Sequence, residues 1–193
     1  MPLETRQRWS REERYNQLIS RAWQIIKCEG TDALTLGHLA ESAAVSKPVV
    51  YSHFKTRQAL LGALYLAFVE KQNDMIDRAL FTSDDTLDDK AQIIASAHID
   101  CVLAQGREIP GLEAALLGSP ELESLRLNAE EAYIEKCRLA LAPFHRAGGL
   151  KKVTLCAIFG AANGLAYYVS SGKLARDEAQ QELCLTIMAM VRR

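Results

Sequence analysis

Apolar residues recur at helical spacing along almost the whole chain, and no run alternates apolar with polar as a half-buried strand would. Tyr15, Leu18, Ile19, Ala22, Trp23 and Ile26 form one stripe. Ser10, followed three positions later by Glu13, reads as a capping box that opens the first helix, and Gly30 closes it. A short second helix is expected from Thr35 to about Ala43. A third begins after Ser46, with Lys47 and Pro48 in its first turn, where the N–H groups have no intrahelical partner to lose. Thr56 then precedes a long helix carrying Leu61, Leu64, Tyr65, Phe68, Met75 and Ile76 on one face. Its period runs on without a break, which predicts a rigid joint between the first part of the chain and the rest.

Thr82 to Asp89, rich in Asp and Thr, reads as a loop. Helices are expected over about 87–105, 110–118 and 120–141. The last of these opens on Ser119, Pro120 and Glu121: a cap, a first-turn proline and an acid that suits the helix dipole. Pro143 and Gly148-Gly149 interrupt the chain, and two final helices over about 150–171 and 175–192 are separated by Gly172. The pattern predicts an all-α protein of about nine helices.

Charge position adds more than total charge. The 193 residues carry a formal net charge of −1, yet residues 1–60 hold nine Lys/Arg against six Asp/Glu, leaving −4 for the remaining 133. No acidic residue occurs between Glu41 and Glu70, a stretch that contains Lys47, Lys55 and Arg57. A basic N-terminal third on an acidic remainder predicts two regions with different partners. The five cysteines are scattered, with no Cys-x-x-Cys pair, so they read as reduced thiols and not as a disulfide framework or zinc ribbon. The first fifteen residues are polar and Arg-rich, unlike a secretory leader, and Thr154 to Gly172 is interrupted by glycines, hydroxyls and Asn163. The expected location is the cytoplasm, with no membrane partner.

The segment Thr35 to Arg57 has the proportions of a helix-turn-helix, two short helices joined tightly with Ser46 capping the second. Leu36, Leu39, Ala40, Val45, Val50 and Phe54 can build its core against the first helix, leaving Lys47, Pro48, Val49, Tyr51, Ser52, His53 and Lys55 outside. Hydroxyl, imidazole and ammonium groups suit phosphate, and an exposed first turn can reach base edges. Thr35, Leu39-Ala40, Ala43-Ala44-Val45-Ser46, Val50-Tyr51, His53-Phe54-Lys55 and Leu60-Leu61, in that order, resemble the N-terminal signature of the TetR family of transcriptional regulators. The likeness covers about residues 10–65; beyond it only length and helix count are similar. It implies a DNA-binding domain over 1–56 and a ligand-binding and dimerisation domain over 57–193. It also implies that Lys47, Pro48 and Val49 face base edges, that Tyr51, His53 and Lys55 hold phosphates, and that Thr35 and Ser46 bind phosphate from helix N-termini. Arg57 is a further backbone contact by position.

Two positions depart from the family pattern. Ala44 stands where glycine is usual, so either a mildly strained backbone or a slightly altered turn is expected, and Gly37 stands where a long polar side chain often reaches DNA. Arg6, Arg8, Arg11 and Arg14, interspersed with Glu4, Glu12 and Glu13, offer either a DNA-contacting arm or a solvated helix start.

The helix over 150–171 is apolar on nearly every side and must be covered on every side. One of its faces and the last helix are expected to meet a second copy, through Ala157, Gly160, Ala161, Gly164, Tyr168, Leu183, Ile187 and Met190. A homodimer also matches what a palindromic operator needs. Polar residues on otherwise apolar faces, His98, Cys101, Gln105, Tyr133, Asn163 and Tyr167, are the candidates for a small-molecule pocket. His98 and Cys101 lie three apart but lack a third ligand, so no metal is expected, and no motif points to a cofactor. No phosphate loop, nucleophile elbow or His-Glu-x-x-His motif supports catalysis. The reading is a non-enzymatic dimeric repressor, released from double-stranded DNA by a small molecule. The alternatives are a regulator without an inducer and a helical enzyme using His98 and Cys101.

Overall fold

The computed structural model describes residues 9–105, 108–145 and 149–193. Within them lie nine α-helices and no strand: α1 (Arg11–Glu29), α2 (Leu36–Ser42), α3 (Lys47–His53), α4 (Arg57–Thr82), α5 (Leu87–Gln105), α6 (Glu108–Leu116), α7 (Pro120–Leu141), α8 (Lys152–Ser170) and α9 (Arg176–Val191). Single 3₁₀ turns follow α1 (Thr31–Ala33) and α7 (Ala142–Phe144). The chain forms two compact units that divide between Leu64 and Tyr65, inside α4.

In the first unit α1 opens on the expected capping box: the Glu13 N–H donates to Ser10 Oγ at 3.1 Å and the Ser10 N–H to Glu13 Oε2 at 2.6 Å. Those bonds favour the carboxylate and hold the Glu13 pKa below its ordinary value. Leu18, Ala22, Ile25 and Ile26 of α1 pack with Leu36, Leu39 and Ala40 of α2, Val50 of α3, and Phe54 to bury the core. Val45, expected in that core, is only half-buried because it follows the turn instead of lying on a helix face.

In the second unit α5 is the central helix, packed by α8 and α9. Ala91, Ile94, Ala95 and Ile99 of α5 meet Leu155, Ile158, Phe159 and Ala162 of α8, and Leu183 and Ile187 of α9. By length and composition alone α8 could cross a membrane, with a mean hydropathy of 1.4. Its inward face, however, is committed to the core through Leu155, Ile158, Phe159, Ala162, Ala166 and Val169. A polar pin ties α9 to α5: Arg176 donates through Nε and Nη2 to the two Asp100 oxygens at 2.6 and 2.7 Å, and Gln180 Nε2 donates to Asp100 Oδ1 at 2.8 Å. α6 starts two residues earlier than expected, with Pro110 as its third residue. Any position in a first turn tolerates the missing N–H, so the proline did not mark the first helical residue.

Candidate functional site

The turn between α2 and α3 is built by backbone hydrogen bonds. The Ala44 N–H donates to Glu41 O at 3.1 Å and the Val45 N–H to Ala40 O at 3.0 Å, the paired bonds of a Schellman end. Ala44 is left-handed, with φ 53°, and is the single non-glycine residue at positive φ among those described. Of the two expectations for this alanine, the strained backbone is the one present. Thr35 caps α2, its Oγ1 accepting from the His38 N–H at 3.1 Å. Ser46 occupies the N-cap position of α3 but makes no side-chain cap, so its hydroxyl is not used by the helix.

On α3, Val50 is buried, while Lys47, Pro48, Tyr51 and Ser52 are exposed and Val49 is half-buried. Tyr51 is 51% exposed, so its phenol projects from the unit instead of packing within it. Among the described residues neither Lys47 nor Lys55 makes an ion pair. Gly37 faces Lys47: a Cβ there would lie 3.8 Å from Lys47 Cε, so the missing side chain leaves the lysine stem room to lie across α2. His53 is half-buried, with its ring 6.2 Å from those of both Tyr15 and Phe54. Burial, then the charges of Arg11 and Arg14, push its pKa down. Arg57 is differently occupied. Its Nε donates to Leu34 O at 2.8 Å and its Nη2 to Thr31 O at 2.7 Å, so the guanidinium fastens the chain between α1 and α2. These two bonds use two of the five guanidinium N–H groups. Of the arm, Arg14 lies over the Trp9 ring at 4.9 Å, and Glu4, Arg6 and Arg8 lie outside the described residues.

The second unit encloses a cavity of about 210 Å³. Tyr65, Phe68 and Gln72 of α4 line it, with His98 and Val102 of α5, and Glu113 of α6. α7 contributes Arg126, Glu130 and Tyr133, and α8 contributes Phe159, Asn163 and Tyr167. Arg126 Nη1 pairs with Glu130 Oε2 at 2.8 Å. The Tyr133 and Phe159 rings meet edge to face at 5.4 Å, and His98 sits 6.2 Å from each. Complete burial pushes the His98 pKa down to about 4, with the Asn163 side chain weakly opposing, so the imidazole is neutral at pH 7.

A model of bacterial regulatory proteins of the tetR family matches residues 18–71, the stretch that contains the whole helix-turn-helix. Residues 18–71 belong to the TetR family. The HTH-type transcriptional activator FasR of Mycolicibacterium smegmatis (strain ATCC 700084 / mc(2)155) is 33% identical over 78 residues, a match spanning 40% of this chain and 36% of that relative. Only about a third of that relative's length is therefore matched. Two solved structures share the fold. A TetR-like transcriptional regulator from Rhodococcus sp. RHA1 has a TM-score of 0.75 at 16% identity, covering 94% of this chain and 97% of that one. The fatty acid degradation regulator FadR from Bacillus halodurans has a TM-score of 0.71 at 17% identity, covering 92% and 94%.

His98, Tyr133, Asn163 and Tyr167 line one cavity as expected of a pocket, whereas Cys101 does not. Cys101 is buried behind the wall, where desolvation pushes its thiol up to about 11. The side chain of Gln105 lies outside the described residues. Glu113, Arg126 and Glu130 were missed as lining residues, although Arg126, Glu130 and Tyr133 recur at helical spacing on α7 and could have been read as one face. The expected dimer surface divides in two. Ala157, Gly160, Gly164 and Tyr168 are exposed on the outer face of α8, and Ala161 and Met190 are half-buried. Leu183 and Ile187 are wholly buried in the unit's own core; on α9 the exposed large apolar residue is Leu185.

Proposed function

We propose that this TetR-family chain is a cytoplasmic, non-enzymatic repressor that binds a palindromic DNA operator as a homodimer and releases it when a small molecule fills the cavity of the second unit. Residues 1–56 carry recognition of DNA, and 57–193 carry effector binding and dimerisation. The observation that supports DNA binding is the outer face of α3, where Lys47 and Tyr51 are exposed and the cation is unpaired within a stretch free of acidic residues. Lys47, Pro48 and Val49 read base edges. Tyr51, His53 and Lys55 hold phosphates, with the Ser46 hydroxyl and Thr35 at the edge of the same surface. The His53 ring serves as a hydrogen-bond donor.

The dimer reading rests on the outer face of α8, where Val153 is 71% exposed and Gly160 and Gly164 face open space that a close-packed partner helix would fill. The cavity favours a regulator with an effector over one without. A ligand releases DNA only if it binds the conformer with misplaced recognition helices more tightly, by about 1–3 kcal/mol in typical couplings. α4 is the element through which that preference passes, since it contributes residues to both units. The name of the Bacillus halodurans FadR structure concerns fatty acid degradation, but the three charged side chains in this lining suit a polar ligand better than an acyl chain.

Selection from a random DNA duplex pool, repeated at several salt concentrations, tests the reading. A palindromic consensus with a steep fall of affinity with salt is the expected result. No enriched sequence at any salt overturns it.

A further inference from the structure

The cavity carries an uneven charge. Arg126 and Glu130 neutralise one another at 2.8 Å. Glu113, the third charged residue of the wall, is half-buried and makes no hydrogen bond or ion pair among the described residues. Desolvation pushes its carboxyl above the usual range, opposed by Arg126 and reinforced by Glu130. Tyr65 is close enough to feel all three charges, and burial with Glu113 pushes its phenol up to about 12. Neutral His98 adds no positive charge, so the lining carries one carboxylate in excess.

A second observation is independent of charge. Arg126 Nε, Tyr133 Oη and the His98 ring nitrogens are buried without a well-formed hydrogen bond among the described residues, with only Asn163 beside His98 and Cys137 beside Tyr133, and all three residues line this one cavity. His98 and Tyr133 are themselves almost wholly buried. Native interiors rarely leave such groups unpaired, and a cluster of them around one space marks where a ligand or water supplies the partners. The remaining wall is aromatic, with Tyr65, Phe68, Phe159 and Tyr167 offering ring faces that attract a cation. The volume, about 210 Å³, leaves room for a small organic molecule.

We propose that the cavity binds a small organic monocation, a protonated amine or quaternary ammonium with a compact apolar body, with Glu113 as its counter-ion. A hydroxyl or carbonyl on the ligand would meet Tyr133 and His98. The assignment rests on the reading of this cavity as the effector site and adds the charge class of the effector. An anion directed to Arg126 would share the cavity with two carboxylates.

Three molecules of matched size separate the charge classes: benzylammonium, benzyl alcohol and benzoate, titrated into the full-length protein by calorimetry and by ligand-observed NMR. Benzylammonium should bind roughly tenfold or more tightly than benzyl alcohol, as expected of a hydrogen bond to a charged group, and benzoate most weakly. Glu113→Gln, which keeps size, should bring benzylammonium down to the level of the alcohol and leave the alcohol within about twofold, while Glu113→Asp should retain the preference for the cation. Tighter binding of benzoate, equal binding of all three, or binding of none up to millimolar concentration overturns the assignment. Operator release, measured with the same molecules, separates the two readings. Benzoate that binds and displaces DNA would refute only the charge class, whereas benzylammonium that binds without affecting DNA would refute the effector role and leave the cation site standing.

Discussion

The turn between α2 and α3 holds an alanine in a backbone conformation that favours glycine, and replacing Ala44 by Gly isolates that single cost. At φ 53° the alanine Cβ crowds the following carbonyl, a penalty of about 1–2 kcal/mol for an L-residue. Glycine removes it but gives the unfolded chain more freedom, which costs about 0.4–1 kcal/mol. Because Ala44 is exposed, its methyl contributes little packing, and both turn hydrogen bonds come from the backbone and survive. The net expectation is a gain of roughly 0.5–1 kcal/mol for the first unit. Both tryptophans, Trp9 and Trp23, belong to that unit, so urea unfolding followed by tryptophan fluorescence reports on it selectively. With a denaturant slope of about 1 kcal/mol/M for so small a unit, the midpoint should rise by roughly 0.5–1 M. Ala43→Gly, one residue earlier at helical φ −86°, should lower it. An unchanged or lowered midpoint for Ala44→Gly, with Ala43→Gly behaving as expected, would refute the strain argument.

Other substitutions probe the remaining roles. Lys47→Ala should cost about 1–3 kcal/mol of operator affinity and relax preference at one base pair; a uniform loss over all sequences would make Lys47 a phosphate contact. Tyr51→Phe should weaken binding to every sequence alike, and unchanged affinity would reject its phosphate hydrogen bond. Arg57→Ala should lower the stability of the first unit by about 1–2 kcal/mol, since two carbonyls lose a charged donor at a partly exposed site, without changing the salt slope of DNA binding; Lys55→Ala should reduce that slope by about one and spare stability. Leu185→Asp combined with Tyr168→Asp should yield a folded monomer by sedimentation, whereas Leu183→Asp should unfold the second unit; a dimer surviving the first pair would refute the α8–α9 outer face as the interface.

The helix-turn-helix was legible because its information is local. Caps, a first-turn proline and a buried Val50 among exposed neighbours fix which side of α3 faces out, and each signal lies within a few residues. The cavity was legible only in part. His98, Tyr133 and Asn163 stood out as polar residues in apolar surroundings, but Glu113, Arg126 and Glu130 look like an ordinary solvated surface until α6 and α7 fold over them. The internal grip of Arg57 was not legible for a related reason: its partners are main-chain carbonyls 23 and 26 residues away, which no side-chain pattern announces. Leu183 and Ile187 show a different limit. Periodicity identifies a stripe as buried, but not whether its own unit or a second copy buries it.

The pin of Arg176 and Gln180 on Asp100 bears on that last ambiguity. α9 carries apolar residues around much of its circumference, so greasy contact with α5 alone would accept several rotations of nearly equal quality. A two-pronged guanidinium grip is directional and accepts one. The carboxylate on α5 thus acts as an index mark, fixing which residues of α9 are left on the outside. Descendants of this chain could acquire a new association surface without altering any surface residue, by moving the mark and letting the helix turn.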